Sequence, residues 1–175
     1  MSQYEVSYSK LKKEIEDELA NIRLGFLATS ENDYVRNGAV FMVSDGLTIY
    51  VFTFLKSRKY QHMKANPNVG FSVSTLQIEG IASLKGHPID EPEFLEVYRK
   101  NQPDAYEKRK ETYFSNSQPD VRVVKIIPTR ICRYKWSQKY KTPDSCYEVL
   151  DIINEKAYSI ATFDYLYGRT PLYGA

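Results

Sequence analysis

The chain is poor in the residues from which many catalytic centres are built. Among its 175 residues are two cysteines, two histidines and one tryptophan. Cys132 and Cys146 are too few for a disulfide scaffold, and a chain of this length can bury a core without one, so two free thiols are expected. His62 and His87 form no metal-ligand spacing with each other or with either cysteine, and no metal is expected. The sequence has no Gly-x-Ser-x-Gly elbow, no Gly-x-x-x-x-Gly-Lys-Ser/Thr loop and no Gly-x-Gly-x-x-Gly fingerprint. No apolar run approaches the roughly 20 residues of a membrane span. The first residues are acidic and lack the apolar stretch of a signal peptide, which points to a cytoplasmic chain with no membrane contact. A formal net charge of +2 is too mild to argue for nucleic acid. The carboxylate pairs Glu14/Asp17 and Glu91/Glu93 read as solvated helix faces. Any enzyme built on this chain must take its hard chemistry from a cofactor.

What is present is a globular pattern, 42% hydrophobic and 26% charged, with 15 tyrosines suited to interfaces and ligand-lined clefts. Leu11, Ile15, Leu19 and Ile22 stripe a helix over residues 9–24, with Gly25 as its stop. Three strands follow, Phe26–Thr29, Tyr34–Val43 and Leu47–Phe54, joined by turns at residues 30–33 and at Asp45-Gly46. Val69–Ser74 and residues 75–86 give two more, the latter with Gly80 at a bulge or close backbone approach. Residues 91–115 read as two helices broken near Pro103. Val121–Ile127 and Arg130–Trp136 read as strands either side of Pro128, and Cys146–Asn154 as a short helix. Tyr158, Phe163, Tyr165, Tyr167 and Tyr173 make an aromatic tail. Residues 1–136 are expected as the main domain, with 137–175 as a tail packed on it.

The stretch that organises the rest is residues 50–68. The β-branched and aromatic run Thr48 to Phe54 predicts a strand. Tyr60 and Met63 then share one face of a short helix, which Asn66-Pro67 ends. A strand therefore leads through a basic turn, Ser57-Arg58-Lys59, into a helix N-terminus. Unpaired N–H groups, a hydroxyl, a planar guanidinium and a point charge there suit a phosphate.

In this setting the chain resembles the flavin-binding split-barrel proteins related to pyridoxamine 5'-phosphate oxidase. The resemblance covers roughly residues 20–136. Its most specific part is Ile49-Tyr50-Val51-Phe52-Thr53, then Ser57-Arg58-Lys59, then Met63, Asn66-Pro67 and Val69. Gly80-Ile81-Ala82 and Ile127-Pro128-Thr129-Arg130-Ile131 resemble the later strands. The resemblance implies a mainly β fold with flanking helices, a six-stranded antiparallel split β-barrel with Greek-key connections. It also implies a homodimer with flavin mononucleotide (FMN) at the interface. By motif position, Thr53, Ser57, Arg58 and Lys59 would hold the flavin phosphate and ribityl chain. Arg36 and Asn37 lie on the strand along the flavin ring, Phe52 on a strand whose backbone meets the ring edge, Gln77 near a flavin contact, and Tyr134 where the oxidase has a tryptophan.

The oxidase's arginine- and histidine-rich substrate signature is missing. Ser137-Gln138-Lys139-Tyr140 and Tyr167-Gly168-Arg169-Thr170 stand instead, so pyridoxamine phosphate oxidation is not implied. The leading expectation is an FMN-dependent oxidoreductase or flavin reductase acting on a small-molecule substrate. A non-catalytic binder of flavin, deazaflavin or haem is the alternative. A nucleic-acid barrel using Lys56, Arg58 and Lys59 is disfavoured by the near-neutral charge.

Overall fold

The computed structural model describes residues 3–135 and 146–161. In chain order these form β1 (Gln3–Glu5), α1 (Tyr8–Ala20), β2 (Leu24–Glu31), β3 (Tyr34–Asp45), β4 (Thr48–Phe54), α2 (Arg58–Ala65), β5 (Asn68–Val73) and β6 (Leu76–Leu84). After them come α3 (Pro92–Asn101), α4 (Pro103–Arg109), β7 (Val121–Lys135), β8 (Cys146–Asp151) and β9 (Lys156–Ala161). Six antiparallel strands close a barrel in the order β7-β4-β3-β2-β5-β6, with β6 returning to β7. The fold is thus the split barrel that the sequence predicts.

Local chemistry sets the turns. Glu31 pairs with Tyr34 across Asn32 and Asp33, both at positive φ (48° and 62°), the two-residue hairpin that Asn and Asp tolerate. Asp45 pairs with Thr48, so the next loop is Gly46-Leu47, with Gly46 at φ 54°. In β6 the register slips between Glu79 and Gly80, the predicted bulge. A Cβ on Gly80 would stand 2.9 Å from the Ile127 carbonyl oxygen, so the close approach is real.

The barrel interior is packed with Leu27, Met42, Val51, Phe71, Ile78, Val124 and Ile126. The apolar stripe of α1 plugs one end, with Leu11, Ile15 and Leu19 buried. Ser7 caps this helix by accepting from the Lys10 N–H at 3.4 Å. The helix stops earlier than predicted, at Ala20, where the Asn21 N–H bonds the Glu18 and Leu19 carbonyls. Gly25 is not its stop: it lies in β2, where the Phe71 ring occupies the place a side chain would take.

A second cluster lies outside the barrel wall. Phe94, Tyr98 and Phe114 cover Val43, Tyr50 and Val123. The α3–α4 break at Gln102-Pro103 has a use: Asn101 Nδ2 and Gln102 Nε2 donate to the Ser44 and Met42 carbonyls, both at 2.7 Å, on β3 beyond its pairing with β2.

Two predictions near the C-terminus are corrected. Val121–Lys135 is one strand of 15 residues, not two. Along one edge it pairs with β4 over 121–126 and with β8 over 130–135. Pro128 falls at the changeover, where a missing N–H is least costly. Residues 146–151 form a strand, not a helix, because that edge of β7 is otherwise bare and Tyr147, Val149 and Leu150 suit a buried sheet. Residues 146–161 thus add β8 and β9 to the sheet, and β1 pairs beyond β9. Of the aromatic tail, Tyr158 lies in β9, and Phe163, Tyr165, Tyr167 and Tyr173 lie outside the described residues. Among the described residues no helix is long and apolar enough to cross a membrane.

Candidate functional site

The barrel opens where β3 and β4 part. Their pairing runs only from Asp45/Thr48 to Met42/Val51. Beyond it β3 stays with β2 as far as Tyr34, while β4 stays with β7 as far as Phe54. The gap between them is a split, and the turn after β4 together with the start of α2 stands at its rim.

Ser57 forms the helix cap from an extended conformation, its Oγ accepting from the Tyr60 N–H at 3.3 Å. The same oxygen lies 3.0 Å from Thr53 Oγ1, which is buried at the end of β4. The chain reverses tightly, with the Ser57 N–H on the Phe54 carbonyl at 2.9 Å. The Gln61 side chain braces this turn by donating to the Leu55 carbonyl at 2.8 Å. The first turn of α2 therefore lines the split, with the partial positive charge of a helix N-terminus.

Across the gap stand Arg36, Asn37 and Gly38 of β3. Together with Leu27, Thr29, Ser57, Arg58 and Lys59 they line one cleft. A Cβ on Gly38 would meet nothing within 4 Å, so the wall there faces open space. Arg36 is held by Tyr34: its Nη2 donates to the phenol oxygen at 3.2 Å and its guanidinium lies 5.0 Å from the ring centroid. Among the described residues Arg58 and Lys59 have no carboxylate within ion-pair distance. Three cations thus line one cleft at a helix N-terminus, a donor set that suits a phosphate in number and charge.

A second cleft begins at Asn37 and runs over the outer face of the sheet past Phe26, Ser72, Gln77, Arg130 and Cys132. Cross-strand register explains the line-up: Ala28 pairs with Asn37 and Gly70, Glu79 with Arg130, and Gln77 with Ser72 and Cys132. Arg130 Nη2 donates to the Tyr158 hydroxyl at 3.1 Å, so β9 reaches back to this cleft. Burial pushes the Cys132 thiol up to about 11, which keeps it protonated and unsuited to nucleophilic work near neutral pH. The side chain of Cys146 lies outside the described residues. Among the described residues no group of three or more His, Cys, Asp and Glu side chains is placed to hold a metal.

Of the residues singled out in the sequence, Arg36, Asn37, Ser57, Arg58 and Lys59 meet at the split, and Thr53 supports them from behind. Gln77 lies in the second cleft, joined to the first through Asn37. The side chains of Phe52 and Tyr134 line neither cleft, and the expectation for Phe52 concerned the backbone of its strand. The Phe52 side chain packs on Phe114 and Tyr98 under the helices, and Tyr134 lies 5.1 Å from the Tyr147 ring. Two residues were not anticipated. His62, expected at the surface, is 6% exposed, with Nδ1 3.3 Å from the buried Thr29 Oγ1. The alternation Leu27/Thr29 on β2 was the sequence signal for Thr29, whereas the burial of His62 follows from the packing of α2 against that strand.

Residues 11–133 match the model of a family described as Pyridoxamine 5'-phosphate oxidase. Among solved structures the chain is similar to general stress protein 26 from Bacillus anthracis, at 23% identity and a TM-score of 0.53, over 69% of this chain and 91% of that one. It is similar to an F420 reductase at 23% identity and a TM-score of 0.51, over 66% and 94%. It is also similar to a pyridoxamine 5'-phosphate oxidase-related, FMN-binding protein from Nostoc punctiforme at 11% identity and a TM-score of 0.57, over 87% and 94%. At these identities the likeness is one of fold. No curated protein matches the chain.

Proposed function

The chain belongs to the pyridoxamine 5'-phosphate oxidase family, and from that premise we propose that it is an FMN-binding protein of oxidoreductase type whose split holds the flavin 5′ phosphate. The observation that carries this reading is the convergence of Ser57, Arg58, Lys59 and Arg36 on the first turn of α2, where β3 and β4 separate. Arg58 offers a fork and Lys59 a point charge to the dianion, and Ser57 keeps the helix N-terminus in register beneath it. Thr53 holds Ser57 in place through the hydroxyl contact. Asn37 sits between the clefts, where its amide can bond a ring heteroatom without carrying charge. Bound flavin supplies hydride or electron transfer, which no side chain of the described clefts can provide.

A deazaflavin with the same 5′ phosphate is the second reading, favoured by the fold likeness to an F420 reductase. The absorbance of the purified or reconstituted protein separates the two. We further propose that a second copy of the chain covers the outer cleft, making a homodimer.

The clamp is tested by replacing both Arg58 and Lys59 with alanine. At about 1.5–3 kcal/mol for each charged hydrogen bond, FMN affinity should fall by roughly two to four powers of ten. Riboflavin, which lacks the phosphate, should lose far less. Equal losses for the two ligands, with thermal melting unchanged, would remove the phosphate from this site.

A further inference from the structure

Past Arg36 and Arg58 the split opens into a basin walled by Glu31, Tyr34, Lys56, Gln61 and His62. His62 joins this basin to the clamp. It is buried, with Nδ1 3.3 Å from Thr29 Oγ1, and Thr29 lines the clamp cleft itself. Its other ring nitrogen, Nε2, lies 3.9 Å from a Glu31 carboxylate oxygen, within ion-pair reach. We propose that His62 is a positioning residue for the phosphate site, acting through Thr29 and taking up a proton when the anion binds. The inference rests on the phosphate reading above and adds a proton-linked control to it.

Hydrogen-bond chemistry is the first argument. A neutral imidazole has one N–H and one bare nitrogen. The Glu31 carboxylate favours the hydrogen on Nε2, which leaves Nδ1 bare and commits the Thr29 hydroxyl hydrogen to it. Protonation puts a hydrogen on Nδ1 as well. The Thr29 oxygen must then accept, and its own hydrogen is released. Thr29 is 3% exposed and has no other hydrogen-bond partner for its hydroxyl among the described residues, so a released hydrogen left unpaired is costly. An anionic oxygen in the cleft that Thr29 lines supplies the acceptor. Proton and anion thus favour one another, and by linkage each strengthens the binding of the other by the same factor.

Charge is the second argument. The titratable and charged groups around the ring are Glu31 of β2, Tyr34 and Arg36 of β3, Lys56 of the turn and Arg58 of α2. Of the other strands packed on α2, β6 carries one charged residue, Glu79, which lines the outer cleft. Strand β4 carries only Tyr50, which donates to Glu93 in the cluster outside the barrel. Among the described residues Glu31 is therefore the one anion of the basin, against three cations. Those cations oppose an imidazolium and Glu31 favours it. A dianion held by Arg36 and Arg58 offsets the cations and shifts the balance toward the proton.

The test counts protons. Calorimetric titration of FMN and of riboflavin, near neutral pH in buffers of different ionisation enthalpy, gives the number exchanged on binding. With FMN the native protein should take up more protons than His62→Gln, by at most about one; with riboflavin the two should agree. The second ionisation of the phosphate itself, at a pKa of about 6, enters both proteins alike and cancels in the difference. As pH is lowered, native FMN affinity should gain on that of His62→Gln by up to about tenfold per pH unit. Thr29→Val, which keeps the shape but not the hydroxyl, should lose most of the extra uptake, and Thr29→Ser should keep it. Thermal melting checks the fold of each variant. The native chain gives a reading that needs no variant: FMN, but not riboflavin, should move the His62 ring resonances toward those of an imidazolium at fixed pH. If FMN outbinds riboflavin but native protein and His62→Gln exchange protons alike, or Thr29→Val matches the native count, or the ring resonances stay still, the relay is overturned and the clamp stands. If FMN does not outbind riboflavin, the clamp itself fails and the relay fails with it.

Discussion

The hydroxyl oxygens of Thr53 and Ser57 lie 3.0 Å apart, joining the end of a barrel strand to the cap of the helix that follows it. One serine thereby serves two purposes, ending the strand turn and lining the cleft at the split. The two can be separated. Ser57→Ala removes the cap and should cost about 0.5–2 kcal/mol in urea unfolding. Ser57→Asp restores a good cap but sets a carboxylate against the phosphate. It should regain most of that stability while FMN affinity drops more than about tenfold. A Ser57→Asp protein that binds FMN like the native one would place the phosphate elsewhere.

The outer sheet face exposes Leu24 and Phe41, which pair across β2 and β3, with Phe26 beside them and Ile81 and Ile127 paired across β6 and β7. Apolar side chains in such number on one face suit the proposed contact with a second copy. Sedimentation at micromolar concentration should give about twice the 20.3 kDa chain mass. Phe26→Glu should shift the protein toward monomer and weaken FMN together. A native monomer at that concentration would rule out a shared cofactor site.

Gly80→Ala tests the bulge. The added methyl would meet the Ile127 carbonyl oxygen at 2.9 Å and Ile126 Cγ2 at 3.1 Å, and backbone cannot swing aside as a side-chain tip can. A loss of about 1–3 kcal/mol is expected from overpacking, seen as a lower melting temperature. Gly38→Ala, with nothing within 4 Å, should change the melting temperature far less.

Arg133 ties three elements together. It donates to Glu14 of α1 at 2.6 Å and to the buried Glu148 of β8 at 2.6 and 2.9 Å. The hydrogen bond from Arg133 holds the Glu14 carboxyl below its ordinary range. A lowered value means that the pair stabilises the fold fully above the unfolded value, about 4.3, and less as pH falls through the folded one. Urea midpoints from pH 7 to pH 3 should therefore decline more steeply for the native chain than for Glu14→Gln. The difference should stay within about 1 kcal/mol, because Glu14 is largely exposed. Parallel curves would show that the contact carries no weight.

The barrel strands were legible because their turns are chemically marked, by Asn32-Asp33 and Gly46, and because β5 and β6 alternate cleanly between core and surface. Arg58 and Lys59 at the split were legible because they are contiguous in sequence, whereas Arg36 reaches the same cleft from β3. Phe52 is a different case. Strand β4 is covered on both faces, by the barrel core and by α3 and Phe114, so its sequence shows no alternation to say which way Phe52 points. His62 could not be placed without knowing that the inner face of α2 packs on Thr29. Residues 146–151 looked helical because nothing local announces a strand, whose partner edge lies beyond a proline in β7.

Among the described residues, the parting of β3 and β4 leaves the split-facing edge of Tyr34–Val40 with no strand to pair with. Every second amide along that edge has no strand partner among the described residues. In the language of hydrogen exchange these amides form a fast stripe inside an otherwise slow barrel. Amides of the same strand that point toward β2 should exchange slowly, giving an alternating pattern from residue to residue. A ligand lying along the split should slow the fast stripe and leave its neighbours as they were, so that β3 itself reports occupancy amide by amide.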